Sequence, residues 1–325
     1  MGALLCGKEC GRSENGGEQE IHASPGRQSA TNTTFFRSRA DPLCNCMELF
    51  ILVDNSTLTD RYFRGEPGFS LFLRDGDVSI LFDTGCSDLF LDNAYKMSID
   101  PLLANWIVLS HGHLDHTGGL DALVRRSIEA SIEGREVTSP MVLAHPDSFV
   151  PKRDEQGRNI GCFIARDTLA SRGEVRLSAD PVWITDRVVF LGEIARRHDF
   201  EGRQTVGETL RGGRWVPDPV VDDTAIACLT DRGLVVIAGC AHSGICNTIE
   251  QAREVTGEER VADVIGGFHL LSAPGEQIRA TCRYFERLQP AAVHACHCTG
   301  FEATIALAHA APLHEVGVGL RLRYD

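Results

Sequence analysis

The segment 110–119, SHGHLDHTGG, places three imidazoles and one carboxylate within six positions. They are His111, His113, Asp115 and His116. Imidazole nitrogens and carboxylate oxygens are ligands that Zn²⁺, Mn²⁺ and Fe²⁺ accept. The apolar run WIVL precedes the segment and predicts a buried strand that ends in a metal-binding loop. We interpret His111 and His113 as ligands of one metal ion, and Asp115 and His116 as the start of a neighbouring site.

The spacing His-x-His-x-Asp-His resembles the signature of the metallo-β-lactamase superfamily. The resemblance implies an α/β fold, the αββα four-layer sandwich, with one or two metal ions at the strand ends. The segment 78–85, VSILFDTG, supports it, since it reads as a strand that runs into an Asp-Thr-Gly turn. In the superfamily this aspartate, here Asp83, lies behind the metal ligands. A carboxylate in that place orients a ligand imidazole and raises its basicity.

Later motifs resemble one branch of the superfamily, named after 7,8-dihydropterin-6-yl-methyl-4-(β-D-ribofuranosyl)aminobenzene 5′-phosphate synthase. They are LGEI at 191–194, DD at 222–223, GCAHSGICNT at 239–248, IGGFHL at 265–270 and HCTG at 297–300. Archaeal members of the branch are linked to methanopterin assembly, whereas many bacterial members have no obvious need for that cofactor. The fold and the metal follow from such a resemblance more firmly than the substrate does.

The resemblance also implies further ligands. In the superfamily a third histidine joins the first pair, an aspartate or cysteine bridges the ions, and a last histidine completes the second site. Cys240 and His242 both follow the predicted strand 234–238; the branch pattern favours His242 as ligand, while Cys240 is either a soft thiolate ligand that favours zinc or a buried thiol. His297 resembles the last ligand. His269 resembles the extra histidine of phosphoesterase relatives, which donates a proton to a leaving oxygen.

Apolar patterning divides the chain into a leader and one domain that contains an insertion. Residues 1–45 are rich in Gly, Ser, Asn and Arg without apolar periodicity, which predicts a disordered or loosely attached leader. Strand and helix patterns alternate over 46–325 and predict a single α/β domain. The stretch 151–222 is broken by Gly, Arg and Pro, and we expect an insertion there that carries substrate recognition.

The cysteine and apolar content predict a cytoplasmic protein without disulfides. Twelve cysteines are scattered along the chain, several of them within apolar runs. We find no secretory signal, and no stretch approaches 18 uninterrupted apolar residues, so we expect no membrane partner. Two cysteine pairs near the N-terminus could instead hold a metal ion or form disulfides with each other. They are Cys6 with Cys10 and Cys44 with Cys46.

The formal net charge of −13 argues against a nucleic-acid partner, because such binding needs clustered Lys and Arg to displace counterions from phosphates. A small anionic substrate is compatible with this charge, since local basic groups can hold one phosphate. Oligomeric state does not follow from the sequence.

Two enzymatic functions follow from the resemblance, and both need one or two divalent ions, with zinc expected and manganese or iron as alternatives. In a transferase, the metal would activate a diphosphate leaving group for C–N bond formation. In a hydrolase of a small phosphoester or lactone, Asp115 would hold the attacking water and His269 would act as acid. A third possibility is a metal- or redox-responsive binding protein, suggested by the run ACHC at 295–298. For an enzyme we expect a pocket with an aromatic or arginine wall along 151–222.

Overall fold

The computed structural model describes residues 46–325, which form sixteen strands and seven α-helices. The strands are β1 (Met47–Val53), β2 (Ser70–Asp75), β3 (Val78–Phe82), β4 (Trp106–Val108), β5 (Met141–Ala144), β6 (Lys152–Arg153), β7 (Val175–Leu177), β8 (Val182–Trp183), β9 (Val188–Phe190), β10 (Glu208–Arg211), β11 (Arg214–Pro217), β12 (Ala225–Thr230), β13 (Gly233–Ala238), β14 (Val261–Gly267), β15 (Ala292–Cys296) and β16 (Arg321–Tyr324). The helices are α1 (Leu89–Lys96), α2 (Leu114–Thr117), α3 (Leu120–Ile132), α4 (Arg166–Ala170), α5 (Ile245–Thr256), α6 (Gly275–Leu288) and α7 (Phe301–Ala310). The predicted leader, with Cys6, Cys10 and Cys44, lies outside the described residues.

Two large sheets carry most of these strands. The first has seven strands in the order β16-β1-β2-β3-β4-β5-β7, with parallel pairing from β3 through β7. The second has six strands in the order β15-β14-β13-β12-β9-β8, and β13, β14 and β15 run parallel. In parallel strands the carboxyl ends meet at one edge of the sheet. The loops that follow β13, β14 and β15 therefore lie side by side.

Apolar side chains fill three layers. Between the two sheets lie inward-facing residues of both, among them Phe82 and Ile237. On the outer face of the first sheet, α1, α3 and α4 bury side chains such as Phe90 and Leu123. On the outer face of the second sheet, α5, α6 and α7 bury side chains such as Ile249. The predicted αββα sandwich is confirmed by this arrangement.

The stretch 151–222 contributes to several parts of the fold. Its strand β7 belongs to the first large sheet, and β8 and β9 belong to the second. Only β6, β10 and β11 form a separate three-stranded sheet. The division of the chain into a leader and one domain with an insertion stays a proposal. Of the strands in 151–222, only those of the three-stranded sheet lie outside the two large sheets of the sandwich.

Most predicted elements are present with shifted ends, and two differences matter. The segment after His113 was expected to be a loop, but Leu114–Thr117 forms one helical turn, because the N–H groups of His116 and Thr117 both donate to the carbonyl of His113. The edge strand β16 was not predicted at all. Over 46–325, no helix is both long and apolar enough to span a bilayer.

Candidate metal centre

The candidate residues gather where strands of the two sheets end. His111 and His113 follow β4, and Asp83 follows β3. Cys240 and His242 follow β13, while residues 269 and 297 follow β14 and β15. The backbone turns sharply here, since the non-glycine residues Asp83, Ala241, His269 and His297 have φ values of 57°, 47°, 52° and 52°. Such left-handed conformations cost about 1–3 kcal/mol each and cluster at functional sites.

Three imidazoles form a first group. Nε2 of His111 lies 2.9 Å from Nδ1 of His113 and 3.2 Å from Nε2 of His242. All three side chains are buried. His111 is fixed from behind by Ser110, whose hydroxyl lies 2.9 Å from His111 Nδ1. Sequence reasoning preferred His242 over Cys240 for this place, and His242 is the residue that lies here; its role as a ligand stays a prediction.

The first group suits a metal ion. A tetrahedral ion with Zn–N bonds of 2.0–2.1 Å holds its nitrogen ligands about 3.3 Å apart. The two nitrogen–nitrogen distances given above are close to that value. One ring nitrogen from each of His111, His113 and His242 lies within 4.8 Å of those of the other two. Three buried nitrogens facing one point therefore form a donor set that fits zinc.

A second group adjoins the first and combines Asp115, His116, Cys240 and His297. Asp115 Oδ2 lies 3.7 Å from His116 Nε2 and 3.4 Å from His297 Nε2. Cys240 Sγ lies 3.3 Å from His116 Nε2. These spacings also fit ligands of one ion, and the set of carboxylate, imidazole and thiolate suits zinc. Cys240 thus lies with the second group and not among the three imidazoles of the first.

Comparison with known proteins identifies the family of the chain. The model of the metallo-beta-lactamase superfamily matches residues 63–253. The chain belongs to the metallo-β-lactamase superfamily. Over 233 residues it is 32% identical to the 7,8-dihydropterin-6-methyl-4-(beta-D-ribofuranosyl)-aminobenzene-5′-phosphate synthase of Methanocaldococcus jannaschii, covering 69% of this chain and 76% of the relative.

Solved structures agree on the fold. Tm1679, described as a metal-dependent hydrolase of the beta-lactamase superfamily, matches with a TM-score of 0.71 and 30% identity, covering 85% of this chain and 98% of its own. The metallo-beta-lactamase fold protein YhfI from Bacillus subtilis matches with a TM-score of 0.50 over 86% and 99% of the two chains, but at 11% identity it speaks for the fold alone. The expected superfamily and the resemblance to the synthase branch are confirmed.

Asp83 contacts two residues of the superfamily motif, Ser110 and His116. Its Oδ1 accepts the backbone N–H of Ser110 at 2.8 Å, and its Oδ2 accepts the Ser110 hydroxyl at 2.6 Å. The same Oδ2 lies 2.7 Å from Nδ1 of His116. This contact turns His116 Nε2 toward Asp115 and Cys240. Asp83 belongs to neither ligand group, and its expected role in orienting a ligand imidazole stays a prediction.

His297 is held by two residues that sequence reasoning missed. Asp54 Oδ1 accepts the backbone N–H of His297 at 2.9 Å, and Asn55 Oδ1 lies 3.0 Å from its Nδ1. The contact with Asn55 leaves Nε2 free to face Asp115. The only signal in the sequence was a pair of polar residues directly after the apolar strand β1.

A buried ion-pair network behind the metal loop was also missed. Lys152 Nζ lies 2.6 Å from Asp218 Oδ2 and 2.8 Å from Asp222 Oδ1. The side chains of all three are at most 1% exposed. Asp222 also accepts the backbone N–H of Gly112 at 2.8 Å. The network joins strand β6 of the small sheet to the loop that carries His111 and His113.

The two groups differ in their protonation. Burial lowers the pKa of His113 to about 4, so its ring is neutral at pH 7 and offers a lone pair. Burial also lowers the pKa of His111 and of His242, with neighbouring imidazoles adding to the effect. For His116, burial works in the same direction, but the carboxylates of Asp115 and Asp83 outweigh it and raise its pKa to about 9. A cation at the second group would replace that proton.

His269 lies beside the first group, with its ring centroid 4.1 Å from that of His242. Burial opposes its protonation, yet the Cys298 side chain raises the pKa of His269 above the usual value. Cys298 was not a predicted site residue, although its Sγ lies within 4.8 Å of ligand atoms of Cys240 and His269. The run ACHC was the signal that could have identified it.

The last features concern the surroundings of the site. His145 accepts the backbone N–H of Asp147 at 3.1 Å through Nδ1. The expected pocket along 151–222 stays a prediction, although Gly161 of that stretch pairs with His113 in an isolated β-bridge and Phe163 is 64% exposed nearby in the chain. Arg196 is occupied with the carbonyls of Pro219 and Val220.

Proposed function

We propose that the protein is a metal-dependent transferase related in reaction to the synthase branch, joining an arylamine nitrogen to a carbon that carries a diphosphate leaving group. The similarity to the Methanocaldococcus jannaschii synthase supports this reaction class. The convergence of His111, His113 and His242 supports metal dependence and is the single observation on which the proposal depends.

The chain's residues would divide the work between them. The first group and the second group would hold divalent cations, zinc before manganese or iron. A cation held there supplies Lewis-acid chemistry, since its charge offsets the negative charge that develops on a departing diphosphate. Asp83 and Asn55 fix the rings of His116 and His297, so that the ligands need not reorganise during the reaction.

Substrate recognition is proposed to come from the stretch 151–222. Phe163 is exposed and lies two residues from Gly161, which pairs with His113. An exposed aromatic ring close to a metal site suits a flat heterocycle. We expect a small anionic molecule and no nucleic acid, because the chain carries a net charge of −13. A cytoplasmic location also stays a proposal.

A hydrolase acting on a small phosphoester or lactone is the second candidate. The similarity to Tm1679, described as a metal-dependent hydrolase, favours it. In that reaction Asp115 would accept a hydrogen bond from the attacking water, which a bound cation makes acidic. His269 would donate a proton to the leaving oxygen, and the Cys298 side chain raises the pKa of His269 above its usual value, which favours the protonated form.

One assay separates the two candidates. Metal-free protein is reloaded with zinc and supplied in parallel with a dihydropterin diphosphate plus an arylamine, with a phosphodiester and with a lactone. We expect C–N bond formation in the first mixture, and hydrolysis in either of the others would favour the second candidate. His113→Ala should abolish turnover, whereas His309→Ala on the exposed face of α7 should not. Turnover that survives metal removal would refute both functions.

A further inference from the structure

A third group of metal-binding atoms lies at the same edge of the second sheet. Sγ of Cys240, a ring nitrogen of His269 and Sγ of Cys298 all lie within 4.8 Å of one another. Cys240 also belongs to the second group, but His269 and Cys298 belong to neither of the other two. The transferase mechanism proposed above leaves both of these side chains without a role.

The backbone brings the three residues together through neighbouring strands. They follow β13, β14 and β15, whose ends are aligned because Ala238 pairs with Gly266 and Gly267 pairs with Cys296. Within three residues of each strand end a residue takes a left-handed conformation, namely Ala241, His269 and His297. The backbone therefore turns sharply after each of the three strands, and the side chains of Cys240, His269 and Cys298 meet beyond the edge of the sheet.

The Cys298 sulfur has two hydrogen-bond contacts to backbone atoms, and in one of them it lies 3.5 Å from the carbonyl oxygen of Cys240. The backbone N–H of His269 donates to Cys298 Sγ at 3.3 Å. Hydrogen bonds of this kind favour the charged form of the acceptor. Space for the sulfur depends on a glycine, because a Cβ at position 267 would lie 2.6 Å from Cys298 Sγ. Any other residue at 267 would displace the sulfur from the group.

We propose that Cys240, His269 and Cys298 form a third metal position, in which the Cys240 thiolate is shared with the ion of the second group. Two sulfurs and one imidazole suit thiophilic cations, namely zinc, cadmium and monovalent copper. Both cysteines bind as thiolates, so loading the position releases their protons to solvent. The proposal rests on the proposed metal-dependent function in one respect, namely that the Cys240 thiolate also binds the ion of the second group.

The third position accounts for the run ACHC, which the first two groups use only in part. His297 enters the second group, and Cys298, one residue later, enters the third. Cys296 takes no part, because it is buried within the sandwich core. His297 and Cys298 enter different groups because the left-handed turn at His297 directs their side chains apart.

Metal stoichiometry and cobalt spectroscopy test the proposal on the full chain. Metal-free protein is titrated with Zn²⁺, and bound equivalents are counted by native mass spectrometry; a parallel titration with Co²⁺ follows the sulfur-to-cobalt charge-transfer absorption. We expect three equivalents for the unmodified protein and two for Cys298→Ala and for Cys298→Ser. The charge-transfer absorption of these variants should fall to roughly one third, since one sulfur–cobalt bond of three is left.

Cys282→Ala is the matched control, because Cys282 is a free, half-buried thiol on α6 outside the three groups. It should keep three equivalents and the full absorption. His269→Ala should bind two equivalents without loss of the cysteines. Two equivalents in the unmodified protein, or an unchanged spectrum in both Cys298 variants, would overturn the third position and leave the proposed function standing. Failure of the unmodified protein to bind any metal would overturn both.

Discussion

The backbone N–H of Gly112 donates a hydrogen bond of 2.8 Å to Oδ2 of Asp222, across 110 positions of the chain. Gly112 lies between His111 and His113, so this bond fixes the peptide that sets the distance between two candidate ligands. The other oxygen of Asp222 is bound to Lys152. The geometry of the first group thus depends on a buried ion pair that contributes no ligand.

Replacing the lysine tests this dependence. Lys152→Met removes the buried cation and leaves two buried carboxylates without a counter-charge, a change that typically costs about 3–5 kcal/mol of unfolding free energy. Loss of support behind ligands typically weakens metal binding about 10- to 100-fold. Urea unfolding and zinc competition titration measure the two effects. Arg158→Met removes a 74% exposed partner of Asp154 and should change stability by under about 1 kcal/mol.

Asp83→Asn tests the residue that orients His116. The amide keeps the size of the side chain but removes the charge that holds the His116 ring through Nδ1. We expect zinc affinity to fall about 10- to 100-fold while the fold is retained. Asp88→Asn is the control, because Asp88 is exposed and makes no side-chain cap to α1. Equal zinc affinity in the two variants would contradict the positioning role of Asp83.

Glu201 gives a prediction for pH dependence. Its carboxylate accepts the backbone N–H groups of Cys246 and Asn247 at the start of α5, and burial raises the pKa of Glu201 from 4.5 to about 7. Between these values the folded chain keeps a proton that the unfolded chain has lost, so stability falls as pH rises from 4.5 to 7. The loss amounts to at most about 3 kcal/mol.

Glu201→Gln is neutral throughout this range and should lack that part of the pH dependence. Its carbonyl still accepts a hydrogen bond from α5, so the helix start is preserved. The measurement is unfolding free energy in urea at a series of pH values, compared between the two proteins, so that other titrating groups cancel. Parallel stability curves would show that Glu201 does not titrate in this window.

Metal removal should lower thermal stability. A ligand that binds only the folded state at 100 times its Kd stabilises by about 2.7 kcal/mol, which corresponds to a shift in Tm of roughly 5–10 °C for a domain of this size. Differential scanning calorimetry before and after dialysis against a chelator measures the shift. The shift in Tm should persist in His309→Ala and shrink in His242→Ala. An equal shift in these two variants would argue against the first group as a metal-binding site.

The local pattern of residues in the sequence determined the strands and helices of the sandwich and the metal-binding motif at 111–116. Alternating apolar runs predicted the strands and helices of the sandwich, because burial of one face requires that pattern whatever the neighbours are. The spacing of His111, His113, Asp115 and His116 predicted metal binding, because these residues are close in sequence and must be close in space. His297 and His242 were identified through the resemblance to the superfamily.

Tertiary structure alone decided which distant groups meet. Asn55 and His297 are 242 positions apart, and Lys152 and Asp222 are 70 apart, so nothing in local spacing links them. The parallel alignment of β13, β14 and β15 placed Cys240, His269 and Cys298 together, and the division of Cys240 and His242 between two groups likewise followed from the turn at Ala241. Sequence sets residue types and local conformation, but contacts between strand ends depend on how the sheets pair and stack.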